Sequence, residues 1–274
     1  MFEKIFESVK KKTPLTHMIT NYVTVNDCAN ILLSCGGSPI MADDRDEAAE
    51  ITSICSALAI NIGTLNARTI ESMLIAGKKA NELGRPVVLD PVGVGASRLR
   101  TDTAFRLLEE VNFAVIRGNA SEIKTLALGS GTTKGVDADL KDAVGEDNLP
   151  EAIDFVGAIA RKYGAIVAMT GEIDIVSDGA ATYIIRNGHA MMSRVSGTGC
   201  MLTGMVAAFC GANPGNMLEA AAAAVALMGV CGETAYAKLE KLDAGTSTYR
   251  TLLIDEAGLI DTGKLNEVIR VEVR

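Results

Sequence analysis

The chain has no tryptophan, and aromatic residues make up only 4% of its 274 residues. Proteins that bind single-stranded nucleic acids stack the bases on aromatic side chains, so this composition argues against that class. The formal net charge is −8 and the sequence pI is about 4.9. A surplus of negative charge disfavours binding to DNA or to an anionic membrane. We therefore expect neither a nucleic-acid partner nor a membrane partner.

Histidine and paired cysteines are also scarce. The chain has two histidines and six cysteines, and no two cysteines form a Cys-x-x-Cys pair. This pattern argues against a zinc site. The N-terminus lacks the basic and then apolar form of a signal peptide, and the alanine-rich run 218–228 looks too short and too weakly apolar to span a bilayer. We expect a cytoplasmic protein with reduced thiols.

Two nucleotide-binding motifs are missing from the sequence. No P-loop occurs, and Leu202 stands where the dinucleotide fingerprint Gly-x-Gly-x-x-Gly needs its third glycine. The chain does contain Gly197-Thr198-Gly199-Cys200, followed by helix-forming residues. Such a turn exposes backbone N–H groups at the positive end of a helix, which favours an anion and a cysteine thiolate. On the motif alone, a tight turn into a core helix is the favoured explanation of the glycines.

Strand and helix patterns alternate along the chain, and 48% of the residues are hydrophobic. The patterns predict helices over 2–12, 27–34, 43–55, 65–83, 102–111, 121–128, 150–163, 201–210, 217–239 and 246–257, with Thr64 as the cap of the fourth. They predict strands over 38–41, 58–62, 86–90, 113–117, 165–170, 173–177, 181–186, 189–194 and 268–273. Residues 129–149 are expected to form a loop. This alternation predicts an α/β fold in one domain spanning 1–274, with a mostly parallel sheet and helices on both faces.

Ligands of such sheets bind at the carboxyl ends of the strands. Polar clusters occur at four predicted strand ends, namely 61–63, 90–93, 117–122 and 170–172. The Gly197–Cys200 turn should join them at one edge of the sheet. Asp90 and Glu122 each follow a buried strand. Two neighbouring carboxylates suit Mg²⁺, which prefers oxygen ligands, although either acid alone is also typical of a helix cap or an exposed surface.

Arg117 and Thr170 end two further apolar strands. Burying the Arg117 side chain is costly unless its guanidinium has an anionic partner. That partner is either a bound phosphate or one of the acids Asp90 and Glu122. The Thr170 hydroxyl is suited to binding a phosphate oxygen or to capping a turn.

Taken together, these motifs resemble those of the hydroxyethylthiazole kinases, a thiamine-salvage family of the ribokinase-like superfamily. The resemblance covers nearly the whole chain and rests on the stretches 16–21, 37–41, 61–64, 89–93, 116–122, 170–174 and 197–200. It implies a three-layer ribokinase-like fold and ATP-dependent phosphorylation of 4-methyl-5-(2-hydroxyethyl)thiazole with Mg²⁺. It also implies a homotrimer with sites between subunits.

The resemblance assigns a role to each candidate residue. It implies ATP binding by Arg117, Thr170, Thr198 and Gly199, and Mg²⁺ binding by Asp90 and Glu122. It implies thiazole binding by Met41 and Gly197, with Asn21 and Gly63 as weaker candidates. Cys200 stands where relatives in the wider superfamily carry the aspartate that accepts the alcohol proton. We expect the helix N-terminus to lower the pKa of Cys200, so that the thiolate acts as a weak base.

Three other functions remain as alternatives. A hydroxymethylpyrimidine kinase and an ATP- or ADP-dependent NAD(P)H-hydrate dehydratase share this fold, but both are expected to carry aspartate in place of Cys200. A ligand-binding or regulatory protein that has lost its base is the third. The presence of Asp90, Arg117 and Glu122 argues against this last alternative.

Overall fold

The computed structural model describes residues 1–129, 144–260 and 262–274. The described residues form one nine-stranded sheet in the order β2-β1-β3-β4-β5-β6-β7-β8-β9. Its strands are β1 Leu15–Ile19, β2 Ser38–Ile40, β3 Ala57–Asn61, β4 Val87–Asp90, β5 Val115–Asn119, β6 Ile166–Thr170, β7 Asp174–Ser177, β8 Thr182–Ile185 and β9 Val271–Val273. The first six strands are parallel and the last three are antiparallel. A mostly parallel sheet is therefore confirmed.

Helices cover both faces of the sheet. They are α1 Glu3–Lys12, α2 Val25–Ser34, α3 Ala48–Ile54, α4 Ala67–Glu82, α5 Arg98–Glu110, α6 Ala120–Leu128, α7 Leu149–Tyr163, α8 Thr198–Ala212, α9 Met217–Leu239, α10 Thr246–Leu259 and α11 Thr262–Val268. Short 3-10 helices span Glu146–Asn148 and Ala190–Arg194. One core lies between the sheet and α1, α2, α8, α9 and α10. A second core lies between the opposite face and α3 to α7, which completes three layers.

The strands fit between two cores because successive side chains point to opposite faces. In β4, Val88 packs into the first core, whereas Val87 and Leu89 pack into the second. Apolar residues at every position are therefore required, and the strand reads as a continuous hydrophobic run. This packing brings the carboxyl ends of β1 to β6 to one edge.

Helix α9 is long and apolar for a structural reason. Among the described residues it is the one helix with the length and composition to cross a bilayer, with 23 residues and a mean hydropathy of 1.4. The alanine-rich run 218–228 forms the first half of this longer helix. Within the fold, 78% of the apolar window is buried, and α9 packs against α8 and α10. A helix that is apolar on all sides is explained by burial in the core.

The sequence patterns missed β1 and misassigned the segment 189–194. Strand β1 contains Thr16 and His17, which are polar yet fully buried, so it lacks a continuous apolar run. The segment 189–194 is a 3-10 helix instead of a strand, because the His189 side chain accepts a hydrogen bond from the Met191 backbone N–H at 3.1 Å. The prediction of a strand there was wrong.

Several helix boundaries also differ from the predicted ones. Helix α8 begins at Thr198, three residues early, with Gly197 as its N-cap. Helix α5 begins at Arg98, where Ser97 caps it. Helix α11 was not predicted. Helix α4 is capped by Asn66 in a capping box, not by Thr64 as predicted. The Thr64 hydroxyl accepts a hydrogen bond from the Tyr22 N–H. Most of the predicted loop 129–149 lies outside the described residues.

Candidate active site

The candidate site lies at the carboxyl edge of the sheet, where α8 begins. Asn61 and Asp90 end the neighbouring strands β3 and β4 and are paired in register. Arg117 lies in β5, and Thr170 ends β6. Thr203 and Cys200 lie three residues apart on α8, and residues at this spacing share one helix face. The sheet edge and the helix start thus bring their polar side chains together.

Asp90 is the most deeply buried acid of the site, with no exposed surface. Its Oδ2 accepts hydrogen bonds from Asn61 Nδ2 and from the Thr203 hydroxyl, both at 2.8 Å. Its Oδ1 lies 3.8 Å from Arg117 Nη1 and has no hydrogen-bond partner among the described residues. Burial raises the pKa of Asp90 to about 6, further raised by Glu122 and opposed mainly by Arg117.

Cys200 lies beside Asp90, and two carboxamides donate to its sulfur. Asn21 Nδ2 and Asn61 Nδ2 each lie 3.2 Å from Sγ. Burial is the largest cause that raises the pKa of Cys200, and the charge of Asp90 raises it further, whereas the neighbouring hydrogen bonds lower it. The expectation of a lowered thiol pKa was therefore wrong, because desolvation outweighs the helix N-terminus. At neutral pH the side chain is a thiol.

Arg117 connects the sheet to the first turn of α8. Its Nη2 donates to the Thr170 hydroxyl at 2.6 Å, while its buried Nε has no hydrogen-bond partner within the described part of the chain. The guanidinium lies directly against Gly199, where an added Cβ would overlap Nη1 and lie 2.8 Å from Nη2. Gly199 therefore allows the guanidinium to approach the helix start.

Gly197 is needed for a different reason, namely its backbone conformation. Its φ of +92° is in the left-handed region, which favours glycine, and a Cβ there would lie 2.8 Å from the Thr24 Cβ. Thr24 is held in turn by Asn21, whose Oδ1 accepts hydrogen bonds from the Thr24 N–H and hydroxyl at 3.1 and 3.0 Å. Thr198 is the first residue of α8, and its hydroxyl donates to the Met192 carbonyl at 3.4 Å.

Glu122 forms the capping box of α6. Its Oε2 accepts from the Asn119 N–H at 2.8 Å, and its Oε1 accepts from the Gly93 N–H at 2.9 Å. The carboxylate thus bridges the end of β5 and the loop that follows Asp90. Each oxygen retains a lone pair for a further ligand.

A small cavity of about 250 Å³ opens next to Asn21 and Gly63. A Cβ at Gly63 would lie 3.0 Å from the Asn21 Cβ, so these two residues are in close contact. The cavity is lined by Met18, Thr20, Tyr22, Val25, Met41, Ala42, Asp43, Thr64, Asn66 and Thr69. Its walls therefore include Met41 and the chain neighbours of Asn21 and Gly63. Cys200 is not one of the residues that line this cavity.

Two larger cavities lie beside the turn that follows β6. One has a volume of about 330 Å³ and includes Asn119 and Thr170 in its walls. The other has a volume of about 690 Å³ and includes Asp174 and His189. Gly171 and Glu172 line both cavities, so the two adjoin each other. Of the expected site residues, Met41 lines the small cavity and Thr170 lines the cavity of about 330 Å³.

Sequence reasoning missed Asn61, Thr203, Thr24 and Asp174 as members of the site. Asn61 ends a buried strand beside Asp90, and that position was the available signal. Thr203 could have been found from its spacing to Cys200. Asp174 is buried, accepts from the Gly171 N–H at 2.9 Å, and has a pKa that burial raises to about 7. No sequence signal indicated the burial of Asp174.

Comparisons with known proteins show the family to which the chain belongs. A sequence profile of the Hydroxyethylthiazole kinase family matches residues 6–262. The chain is 58% identical over 272 residues to the hydroxyethylthiazole kinase of Clostridium acetobutylicum, with 99% of each chain covered. It matches the structure of hydroxyethylthiazole kinase from Pyrococcus horikoshii with a TM-score of 0.87 at 34% identity, covering 100% of this chain and 98% of the other.

A ribokinase-like superfamily protein from Enterococcus faecalis has a TM-score of 0.57 at 12% identity, over 94% of both chains. This likeness shows the fold alone. With the closer structure from Pyrococcus horikoshii, it confirms the expected three-layer ribokinase-like fold.

The buried Asp90 carboxylate should reduce stability above pH 6. Its pKa of about 6 exceeds the ordinary value of 3.8, so the folded protein binds more protons than the unfolded chain between these values. Stability due to this group therefore falls as the pH rises through that window. We expect Asp90→Asn, which can still accept from Asn61 and Thr203, to be more stable than wild type at pH 8, by at most about 3 kcal/mol.

The measurement is denaturant unfolding of both proteins at pH 4.5 and pH 8 in a chelator. The stability difference between the proteins should grow with pH, because all other titrating groups are shared. A variant that is equally destabilised at both pH values would contradict the assignment.

Proposed function

We propose that this chain, which belongs to the hydroxyethylthiazole kinase family, transfers the γ-phosphoryl group of ATP to the hydroxyl of 4-methyl-5-(2-hydroxyethyl)thiazole in thiamine salvage. The observation that carries the proposal is the position of the first turn of α8. Its consecutive residues Gly199 and Cys200 face Arg117 on one side and the carboxamides of Asn21 and Asn61 on the other. Thr20 and Tyr22, the chain neighbours of Asn21, line the small cavity, and Thr170, the hydrogen-bond partner of Arg117, lines one of the larger cavities.

The small cavity is the acceptor site in this proposal. Its volume of about 250 Å³ suits a small heterocyclic alcohol better than a nucleotide. Met41 supplies an apolar, polarisable contact for the thiazole ring. Asn21 connects this cavity to Cys200, because its neighbours Thr20 and Tyr22 line the cavity and its amide donates to Cys200 Sγ. Gly63 lies against Asn21 and Gly197 against Thr24, and in this proposal these residues and Cys200 receive the hydroxyethyl arm.

The larger cavities are the nucleotide site. Thr170 lines the cavity of about 330 Å³, and Arg117 donates to its hydroxyl, so a guanidinium and a hydroxyl are close enough together to bind phosphate oxygens. Thr198 and Gly199 contribute backbone N–H groups at the positive end of α8. An acidic chain needs such a local concentration of donors to bind a polyphosphate.

Asp90 and Glu122 would hold the Mg²⁺ that accompanies ATP. The fit rests on the Asp90 Oδ1, a buried oxygen without a hydrogen-bond partner in the described residues, and on the oxygen-only donor set that Mg²⁺ prefers. When bound, Mg²⁺ would offset the negative charge of the phosphates.

Cys200 assists the transfer but does not dominate it. The thiol is protonated at neutral pH, as its raised pKa indicates, so it hydrogen-bonds and orients the alcohol before any proton moves. Phosphoryl transfer through a loose transition state needs little help from a base. Positioning by the cavity and charge stabilisation by Arg117 and the helix N–H groups supply most of the rate enhancement.

Three further properties complete the proposal. The catalytic unit is a single domain spanning 1–274, and it acts in the cytoplasm. It assembles as a homotrimer with sites between subunits. The exposure of Tyr22 and Val23, at 79% and 62%, supports this assembly. Tyr22 lines the acceptor cavity, so a neighbouring subunit covering these side chains would also close the cavity.

The activity is tested with purified protein, ATP and MgCl₂. We expect a phosphate ester with the thiazole alcohol and no turnover with hydroxymethylpyrimidine, with hydrated NADH or without an acceptor. Turnover of the pyrimidine alone, or of hydrated NADH alone, would overturn the assignment in favour of the corresponding alternative. The readout is mass detection of the phosphorylated product.

Gly199→Ala should lower kcat/KM for ATP by about 100-fold or more, because its Cβ displaces the Arg117 guanidinium from the helix start. Cys200→Ala should lower kcat by only about tenfold. Gly215→Ala is the matched control, since a Cβ there meets nothing within 4 Å. If Cys200→Ala and Cys200→Asp are both inactive, the assisting role is wrong. If Gly199→Ala keeps full turnover, the dominance of the turn is wrong.

The trimer is tested by sedimentation velocity, which should give three times the chain mass of 28.7 kDa. Val23→Asp should release monomers and raise the KM for the thiazole, because it places a charge in the covered surface. Leu242→Asp changes an apolar residue of similar exposure, 56%, and should leave the trimer intact. A wild-type protein that sediments as a monomer at micromolar concentration would refute this assembly.

A further inference from the structure

His17 is buried in the middle of β1, and both of its ring nitrogens form hydrogen bonds. It has no exposed surface. Nε2 lies 2.7 Å from the Ala42 carbonyl oxygen, and Nδ1 lies 2.9 Å from the Thr52 hydroxyl of α3. The imidazole therefore links the central sheet, a covering helix and the chain that follows β2.

The bond to Ala42 acts just beyond the end of a strand. Strand β2 pairs with β1 over three residues, and the last pair is His17 with Ile40. The chain then leaves the ladder as Met41, Ala42 and Asp43, which all line the small cavity. A side-chain donor from β1 thus holds the cavity wall where the backbone ladder has ended.

The chemistry fixes which nitrogen carries the proton. A carbonyl oxygen only accepts, so Nε2 must donate to Ala42. Burial lowers the pKa of His17, opposed by the bond to Ala42, so the ring is neutral at pH 7 and Nδ1 accepts from the Thr52 hydroxyl. The Thr52 hydroxyl has one proton and is also placed to donate to the Ala48 carbonyl of the preceding helical turn at 2.8 Å, so Nδ1 and the Ala48 carbonyl share this donor. The bond from Nε2 to Ala42 is therefore the one that fixes the ring.

We propose that His17 is a positioning residue for the acceptor, whose Nε2–H holds the Met41–Asp43 wall against β1 and thereby sets the fit of the small heterocyclic alcohol. This inference rests on the proposed function, which makes the small cavity the acceptor site. His17 does not line the cavity. It acts through the backbone of the wall, and the nucleotide cavities are lined by other segments.

A purely structural role for His17 predicts a different outcome. A histidine that only fills the core would change the stability of the whole protein and affect both substrates alike. A positioning role predicts a selective effect on the acceptor. The two roles are therefore separated by comparing KM for the acceptor, KM for ATP and kcat.

The decisive variants are His17→Asn and His17→Gln. The glutamine carboxamide reaches the position of Nε2 and can donate to Ala42, whereas the shorter asparagine reaches only the position of Nδ1. We expect His17→Asn to raise KM for the thiazole alcohol by about tenfold, with KM for ATP changed less than twofold. His17→Gln should restore most of the acceptor affinity. Equal effects of both variants on both substrates would overturn the proposal.

Two further variants keep the test decisive if His17→Asn does not fold. Thr52→Val removes the hydroxyl that contacts Nδ1 but leaves the bond from Nε2 to Ala42, so it should raise KM for the acceptor by a smaller factor than His17→Asn. Thr182 lies in the distant strand β8, and its buried hydroxyl donates to the Ser177 hydroxyl at 2.8 Å. Thr182→Val removes that hydroxyl and should leave KM for the acceptor unchanged. An unchanged acceptor KM in Thr52→Val and in the folded His17 variants would refute the positioning role.

Calorimetric titration of the thiazole alcohol into each variant gives a second readout that does not depend on turnover. Wild type that neither binds nor phosphorylates the thiazole would refute the proposed function. Wild type that binds it, together with a His17→Asn variant of equal affinity, would refute this inference alone.

Discussion

The candidate site depends on the carboxylate of Asp90, which is completely buried. Asp90 ends a central strand, where the sheet and α8 exclude solvent. Desolvating a charge costs several kcal/mol unless partners compensate for it. Asn61, Thr203 and Arg117 supply part of that compensation from three different elements. These contacts fix the relation between strand ends and helix, so the position of Cys200 and of the glycine turn follows from the way Asp90 is held.

The start of α8 contacts two different groups of side chains because adjacent helical residues point in different directions. Gly199 lies under the Arg117 guanidinium, and Cys200 points toward the two asparagine amides. The absence of a side chain at position 199 allows the cation to reach the helix start, where backbone N–H groups also concentrate positive charge. A single helical turn therefore places anion-binding groups beside a group that can hydrogen-bond an alcohol.

Much of this arrangement could be predicted from the sequence, and the exceptions have physical causes. Apolar runs that end in Asp90 or Thr170 identify strands and the edge at which ligands bind. The same logic failed for β1, whose Thr16 and His17 are polar residues that the fold buries and bonds. The direction of the Cys200 pKa was also predicted wrongly, since a helix N-terminus is visible in a sequence but desolvation is not. Contacts between residues far apart in the chain, such as the hydrogen bond from Asn61 to Cys200, can be identified only when the strand register is known.

The buried Asp90 also explains why a thiol suits position 200 of this chain. The sulfur of Cys200 accepts from Asn61, whose same amide nitrogen donates to Asp90. A carboxylate in place of the thiol would set a second negative charge close to the first in a desolvated pocket, and like charges there raise each other's pKa. A neutral thiol avoids that repulsion and still fills the space between the two carboxamides. Asp90 then has no second carboxylate beside it at position 200, and Cys200 itself needs no counterion.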